Sequence, residues 1–269
     1  MNVNNNNKNS SSSTTKKKLR ILCLHGGYSN NEITIFQTTG LKLYKIADCD
    51  YLHAPHFVGS PYPGLELFSE GPWYTWTTIS ELNDKNSTKK WKESIEYALN
   101  YIETNGPYDG IYGFSLGVAM ITQLLLSLPK KSTLPKFVIL ACGGGGQSII
   151  TTTNSTTRMV VPSFHIIGKK DSHRSNGELL RTKFWTNNNN SNTTDDSDSQ
   201  NNDNNDDDDN TKYDNHDPNS IVYRHEGGHA IESLIEHREP KLIEYLHKFI
   251  ISNTSSKEEE KKETTQNRG

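Results

Sequence analysis

The middle of the chain alternates short apolar runs with segments in which apolar side chains recur every three or four positions. A short apolar run bounded by Gly or Pro is typical of a strand that is buried on both faces of a parallel sheet. The run at residues 50–53 is the weakest. The pattern predicts strands at residues 19–24, 50–53, 110–112, 137–141, 163–167 and 221–223.

Helical spacing follows several of these predicted strands. Residues 88–104 are predicted to form an amphipathic helix that ends before Gly106-Pro107. Further helices are predicted at 118–128, around 179–184, and from Pro240 onward. Because strands alternate with helices, we expect an α/β fold with a doubly wound, mostly parallel sheet and helices on both faces.

Three segments carry almost no apolar residues and lower the mean hydropathy to −0.78. They are residues 1–18, residues 187–217 and residues 252–269, rich in Asn, Ser, Asp, Lys or Glu. Such segments cannot bury enough apolar surface to offset the entropy of ordering them, so we expect them to be disordered. One domain is therefore predicted at 19–251, interrupted by an Asn/Asp-rich insert at about 187–217.

Charge and hydropathy argue against two kinds of partner. The net charge is −3, and the basic residues are scattered or lie in the N-terminal tail, so nucleic acid is not an expected partner. No stretch approaches the roughly 20 apolar residues of a membrane span, and the N-terminus has no signal-peptide core. We expect a soluble protein of the cytoplasm, with the nucleus left open.

The cysteines agree with a reducing compartment. Cys23, Cys49 and Cys142 are odd in number and lie in or near apolar runs. They are therefore predicted to be buried free thiols rather than disulfides.

A candidate nucleophile lies where a predicted strand meets a predicted helix. Residues 113–117 are Gly-Phe-Ser-Leu-Gly, which matches the G-x-S-x-G motif in the strand and helix context that the motif requires. The sharp turn would present the Ser115 hydroxyl at the carboxyl edge of the sheet. The backbone N–H of Leu116, at the helix N-terminus, would then be one donor to an oxyanion.

A base and an acid follow in the chain order that such a serine requires. Asp171 comes shortly after the strand predicted at 163–167, and His229 comes shortly after the strand predicted at 221–223. Because the carboxyl ends of parallel strands share one edge of the sheet, we expect both side chains to lie near Ser115. The alternatives are that His229 is an ordinary surface histidine and that Asp171 is an acidic residue of an ordinary loop.

The loop after the first strand supplies the predicted second oxyanion donor. Residues 25–28 are His-Gly-Gly-Tyr, and the amide of Gly27 is preferred over that of Tyr28. A simple Gly-rich turn remains the alternative. A second, aromatic-rich loop is predicted at 54–76, without regular structure, over the same edge. Its aromatic side chains either line a substrate pocket or form a small core of their own. They are those of Phe57, Tyr62, Phe68, Trp73, Tyr74 and Trp76. Trp73 and Tyr74, together with Tyr28 of the preceding loop, are the candidates for binding substrate.

Two further motifs suggest other chemistry. Residues 225–229 are His-Glu-Gly-Gly-His and match the zinc motif H-E-x-x-H, but that motif needs a helix, and each interior glycine costs it about 1 kcal/mol. We therefore expect no metal there. Four glycines at 143–146 lack the Lys and Ser or Thr of a phosphate-binding loop, so they are predicted to form a flexible connection.

Several of these segments together resemble one known family. In the order 21–26, 51–56, 113–117, 165–171 and 226–229, they are similar to the motifs of the FSH family of serine hydrolases, in the α/β-hydrolase superfamily. The resemblance spans residues 19–251 apart from the insert. It implies an α/β-hydrolase fold, esterase activity on carboxylic esters, no cofactor, and a triad of Ser115, Asp171 and His229.

Two residues depart from that family. The nucleophile is usually followed by Gln, where this chain has Leu116, and the residue after His25-Gly26 is usually larger than Gly27. Because only the backbone amides are required, we expect activity to be retained. Substrate preference and the geometry of the oxyanion site could differ.

Taken together, the sequence predicts a serine hydrolase that cleaves a small carboxylic ester through an acyl-enzyme. An acyl-protein thioesterase or lysophospholipase is the nearest alternative. A non-catalytic binding protein of the same fold is a more distant one. The sequence leaves open the acyl chain, the alcohol, ester against thioester, and the oligomeric state.

Overall fold

A seven-stranded sheet forms the centre of the computed structural model, which describes residues 18–78, 80–81, 88–128, 134–143, 159–185, 213–215, 217, 219–229 and 239–255. The strands of the described residues are β1 (Leu19–Leu24), β2 (Ala47–Leu52), β3 (His56–Val58), β4 (Trp73–Thr75), β5 (Gly110–Phe114), β6 (Phe137–Ala141), β7 (Ser163–Gly168), β8 (Tyr213–Asp214) and β9 (Ser220–His225). The large sheet has the order β2-β1-β5-β6-β7-β9-β8. Its pairings are parallel except that of β8 with β9.

Helices cover both faces of this sheet. They are α1 (Asn31–Gly40), α2 (Lys89–Asn105), α3 (Leu116–Ser127), α4 (Arg174–Phe184) and α5 (Pro240–Thr254). Buried residues of α2, α3 and α4 pack on the face that carries Leu22 and Leu140. Helix α5 packs on the opposite face, against Phe137 and Phe164. The predicted α/β class and doubly wound sheet are therefore confirmed.

Most predicted elements form within a few residues of their expected bounds, but one helix was not predicted. Helix α1 begins after Asn30, whose side-chain Oδ1 accepts a hydrogen bond of 3.1 Å from the N–H of Ile33. Its buried face carries Thr34, Gln37 and Thr38 as well as Ile33. Because half-polar faces give little apolar periodicity, the sequence pattern did not reveal this helix.

Residues 54–76 were predicted to form a loop without regular structure, and this prediction is wrong for part of the segment. Strands β3 and β4 pair there in antiparallel register, and a 3₁₀ turn forms at Leu65–Leu67. Each strand has three residues, which is too short for an alternating pattern to stand out. Tyr74 also forms a bridge with Ser29, with N–H to O distances of 2.8 and 3.0 Å in the two directions. The segment is thus fastened to the chain just before α1.

Two predicted boundaries also need correction. Tyr213 and Asp214 form β8, and the Tyr213 ring stacks on that of Tyr245 with 4.0 Å between the ring centroids. These two residues therefore do not belong to the disordered insert predicted at about 187–217. Helix α5 continues beyond residue 251 to Thr254, because side chains such as that of Asn253 bond back to helix carbonyls. The predicted disorder at 1–17, 187–212 and 256–269, and the glycines at 144–146, lie outside the described residues.

The cysteines are free thiols, as the sequence predicts. Cys23 and Cys142 are buried, Cys49 is half-buried, and all three are free thiols. Burial raises the pKa of the Cys142 thiol. None of the helices that the structure describes combines the length and apolar character needed to cross a bilayer.

Candidate active site

Ser115 lies in a sharp turn between β5 and α3. Its φ of +52° is in the left-handed region, which non-glycine residues rarely adopt. The turn packs so closely on β1 that a Cβ at Gly117 would lie 2.5 Å from the carbonyl oxygen of Leu24. The N–H of Ser115 donates to the carbonyl of Ala141 at 2.9 Å. The backbone is thus held in the conformation of a nucleophile elbow.

The structure brings together the three side chains that the sequence selects as a triad. Ser115 follows β5, Asp171 follows β7 and His229 follows β9, all at the carboxyl edge of the sheet. Nε2 of His229 lies 2.9 Å from Oγ of Ser115, and Nδ1 of His229 lies 2.8 Å from Oδ2 of Asp171. With a proton on Nδ1, the imidazole can accept the serine proton at Nε2.

The carboxylate of Asp171 is held in its charged form. Burial opposes ionisation, yet hydrogen bonds from His229 and from the backbone N–H of His173 outweigh burial and lower the pKa of Asp171 below its ordinary value. The His173 N–H donates to Oδ1 at 2.8 Å, so the two carboxylate oxygens have different partners. A charged, oriented acceptor fixes the tautomer of His229.

A buried histidine orients the loop after β1. The Nδ1–H of His25 donates to the carbonyl of Gly26 at 2.6 Å, and the N–H of Ala54 donates to Nε2 at 2.9 Å. Burial lowers the pKa of His25 to about 4, so the ring is neutral at pH 7. Because a peptide unit is planar and trans, fixing the Gly26 carbonyl also fixes the direction of the Gly27 N–H.

The two departures from the family pattern contact each other. A Cβ on Gly27 would lie 3.0 Å from Cδ2 of Leu116, whose side chain is almost completely buried. The side chain of Leu116 therefore occupies space that a larger residue at position 27 would need. Leu116 is also the first residue of α3, where backbone N–H groups have no acceptor within the helix.

An apolar cleft of about 420 Å³ opens beside Ser115 and His229. Two hydrogen bonds anchor the loop that forms one wall: the Tyr62 N–H donates to the Tyr28 carbonyl, and the Asn30 amide donates to Ser69 Oγ. A cleft of this size and character suits an apolar group of a small molecule. Its apolar lining includes Ile33, Tyr62, Leu65, Leu67, Phe68 and Phe114.

The three residues predicted to bind substrate do not line this cleft. Trp73 is buried beside Ile33, and the Tyr74 ring lies between those of His53 and Phe57. Tyr28 holds the cleft wall through its carbonyl group rather than its side chain. Within the aromatic loop, the contacts with the cleft come from Tyr62 and Phe68, together with the aliphatic Leu65 and Leu67.

The zinc-like motif does not adopt the geometry that its alternative function requires. His225 ends β9, and residues 226–229 follow as bends rather than as a helix. His225 is fully buried, whereas His229 faces Ser115. No group of three or more metal-ligating side chains lies within the part of the chain that the structure describes.

Sequence reasoning missed the buried rings of His25 and His225. A histidine that directly follows an apolar strand is remote from water, so both of its ring nitrogens need protein partners. That signal was present in the order Leu24-His25-Gly26. In the cleft wall, Tyr62 and Phe68 were among the predicted aromatic candidates. The aliphatic Leu65 and Leu67 gave no comparable signal, because no motif marks them.

Comparison with known proteins assigns the chain to a family. The model of the serine hydrolase family FSH1 matches residues 13–189, about two thirds of the chain. The chain belongs to the FSH1 family of serine hydrolases. The matched segment contains Ser115 and Asp171, and His229 lies beyond it.

Individual relatives carry the word esterase in their names. Esterase C25G4.2 of Caenorhabditis elegans is 33% identical over 114 residues, which are 40% of this chain and 50% of the relative. Esterase FUS5 of Gibberella fujikuroi is 29% identical over 169 residues, 60% of this chain and 70% of the relative. The matched segment thus spans half the length of the nematode protein.

The fold also has a counterpart among solved structures. The Arabidopsis thaliana protein SOBER1, in its F65L form, superposes with a TM-score of 0.50 at 16% identity, over 88% of this chain and 100% of the other. At this identity the likeness concerns the fold alone.

Proposed function

We propose that this protein hydrolyses carboxylic esters through an acyl-enzyme. Ser115 is the nucleophile, His229 the general base, and Asp171 the group that orients His229. The observation that carries the proposal is the 2.9 Å contact between Nε2 of His229 and Oγ of Ser115, with Asp171 2.8 Å behind the ring. Membership of a serine hydrolase family and the esterase names of the relatives support it.

The reaction proceeds in two acyl transfers. His229 takes the proton of Ser115 as its Oγ attacks the ester carbonyl, and then gives that proton to the departing alcohol. Water, deprotonated by the same imidazole, next attacks the acyl carbonyl. The bond from that carbonyl to Oγ then breaks, His229 returns its proton to Oγ of Ser115, and the acid is released. The backbone N–H groups of Gly27 and Leu116 stabilise the oxyanion in both steps, and each donor contributes about 3 kcal/mol to transition-state binding.

The apolar cleft receives one apolar group of the ester. No cofactor takes part in this reaction scheme, since the hydroxyl, imidazole and carboxylate supply the required proton transfers. We also place the protein in the cytoplasm, because the three free thiols suit a reducing compartment. Imaging of a tagged full-length chain checks this location.

Kinetics of triad variants test the proposal. Ser115→Ala and His229→Ala are expected to lower kcat for p-nitrophenyl esters by at least about a thousandfold, with a smaller change in KM, because the cleft remains. Ser252→Ala, at an exposed site on α5, is the matched control and should behave as wild type. Parallel assays with thioesters distinguish the two substrate classes. Normal turnover by Ser115→Ala would overturn the assignment.

A further inference from the structure

His225 has no part in the reaction proposed above, although it begins the H-E-x-x-H stretch that ends in His229. It is fully buried at the end of β9, four residues before the proposed base. Between them lie two glycines, Gly227 and Gly228, which leave the backbone many accessible conformations. The position of His229 therefore depends on contacts that restrain this short connection.

The ring of His225 supplies one such contact. The N–H of Gly227 donates to Nδ1 of His225 at 3.2 Å, so that nitrogen carries no proton and the neutral ring has its proton on Nε2. Nε2 lies 3.8 Å from Sγ of Cys142, to which it donates. Cys142 directly follows Ala141, whose carbonyl accepts from the N–H of Ser115. The ring thus links residues 226–229, which carry the proposed base, to the end of β6, whose last carbonyl holds the backbone of Ser115.

The backbone around His225 joins the same connection to the loop of the acid. The N–H of Lys169 donates to the carbonyl of His225 at 2.8 Å, and the N–H of Lys170 donates to the carbonyl of Gly227 at 3.0 Å. A Cβ at Gly168 would lie 2.7 Å or less from the carbonyl oxygens of Gly227 and Gly228. Residues 169–171, which lead to the proposed acid, form the acid loop, and residues 226–229, which lead to the proposed base, form the base loop. The backbones of these two loops therefore pack against each other, and the His225 ring lies directly beside their contact.

We propose that His225 is a positioning residue, whose Nδ1 acceptor holds the Gly227 amide and thereby sets the placement of His229 between Asp171 and Ser115. This inference rests on the proposed function of the same site. A displacement of about 1 Å at a reacting group can cost about a hundredfold in rate, so a restraint on a glycine-rich connection has a large effect. His225 does not line the cleft, so its contribution falls on kcat rather than on substrate binding.

Two substitutions at position 225 separate the acceptor from the bulk of the ring. His225→Phe keeps the ring but removes the Nδ1 acceptor, and kcat for p-nitrophenyl esters and the rate of fluorophosphonate labelling are expected to fall by at least about tenfold. KM should stay within about twofold of wild type. His225→Asn places an amide oxygen near the position of Nδ1, and its kcat should stay within about threefold of wild type.

His165 provides the matched control. It is also buried, on the adjacent strand β7, and its Nε2 bonds to Ser163 Oγ at 2.9 Å, away from the acid and base loops. His165→Phe is expected to lower Tm but to leave kcat per folded molecule close to the wild-type value. If His225 only stabilised the fold, His225→Phe would likewise lower Tm and leave kcat per folded molecule close to the wild-type value.

The outcomes are distinct. Wild-type kcat and labelling rate in His225→Phe, or equal losses in His225→Phe and His225→Asn, would overturn the inference. A wild-type chain that neither hydrolyses esters nor takes the label would instead refute the proposed function. Should His225→Phe fail to fold, His225→Gln replaces it, because its amide reaches the position of Nε2 rather than Nδ1, and the same loss relative to His225→Asn is expected.

Discussion

At the scale of single residues, the backbone of Ser115 is under local strain that its neighbours must tolerate. Its φ of +52° and ψ of −114° place the side chain above the sheet edge, and glycines on either side make room for the turn. At Gly113 a Cβ would lie 2.8 Å from the backbone of Gly117. Strain of this kind persists at functional sites only where the surrounding packing fixes it. The packing of this turn on β1 is therefore part of the proposed chemistry.

Gly117→Ala tests this packing. The added Cβ would lie 2.5 Å from the carbonyl oxygen of Leu24 and 2.9 Å from that of His25, so β1 and the loop that follows it must shift. We expect the free energy of unfolding to fall by about 1–3 kcal/mol and kcat to fall with it. Denaturant unfolding and ester kinetics measure the two effects.

Gly59→Ala is the control for that substitution. Nothing lies within 4 Å of a Cβ at Gly59, so stability and kcat should remain close to wild type. If Gly117→Ala also left the free energy of unfolding and kcat unchanged, the close contacts of this turn with β1 would not restrain it.

At the scale of elements, Asn30 links the start of α1 to the wall of the cleft. Its Oδ1 accepts from the N–H of Ile33, and its Nδ2 donates to Ser69 Oγ at 2.7 Å. Ser69 Oγ in turn donates to Glu32 at 2.6 Å. One side chain thus caps a helix and also holds the loop that lines the cleft.

Asn30→Ala and Asn30→Asp separate these two contributions. The alanine variant is expected to lose about 1 kcal/mol of stability through the missing cap and to show a raised KM, because the cleft wall loosens. The aspartate variant keeps the cap acceptor but not the donor to Ser69, so it should retain more stability while KM still rises. Thermal unfolding and Michaelis–Menten kinetics measure both. An unchanged KM in both variants would contradict the link to the cleft.

The elements also show how far the sequence could predict this fold. Strands such as β6 and β7 are continuous apolar runs, because they are buried on both faces, and their bounds were predicted within one residue. The sequence pattern did not predict helix α1 or the strand pair β3 and β4. The first buries polar side chains through side-chain hydrogen bonds, and the second consists of strands too short for periodicity.

The candidate site combines residues that the sequence could predict with residues that it could not. Ser115, Asp171 and His229 could be selected because each follows a predicted parallel strand, so the topology alone brings them to one edge. Of the aromatic candidates in the loop at 54–76, Tyr62 and Phe68 line the cleft. The aliphatic residues of the cleft and the rings of His25 and His225 could not be selected, since their positions depend on how irregular segments pack. Local motifs therefore selected the proposed reacting groups, and tertiary packing decided their surroundings.

At the scale of the whole molecule, buried histidines link stability to pH. Burial lowers the pKa of His25 to about 4 and that of His165 well below its ordinary value, with the charges of Arg181 and Arg224 adding to the effect at His165. In the unfolded chain both rings titrate near 6.5. Below that pH the unfolded state binds protons that the folded state does not, so stability is fully present above about pH 6.5 and is lost as the pH falls toward 4.

His165→Gln is expected to flatten this dependence. Each ring that stays neutral in the folded state adds up to about 1.4 kcal/mol per pH unit to the slope between roughly pH 6 and pH 4. Removing one of them should reduce the slope by that amount, whatever the variant's absolute stability. Urea unfolding at half-unit pH steps measures the slope. The same slope in both proteins would show that His165 accepts a proton in the folded state.

The proposed hydrolysis depends on activation of the Ser115 hydroxyl by the imidazole of His229. The most direct measurement is fluorophosphonate labelling of the full-length protein followed by peptide mass spectrometry. We predict a single label on the peptide that contains Ser115, and its loss in both Ser115→Ala and His229→Ala. A label on a different serine, or undiminished labelling of His229→Ala, would contradict the account.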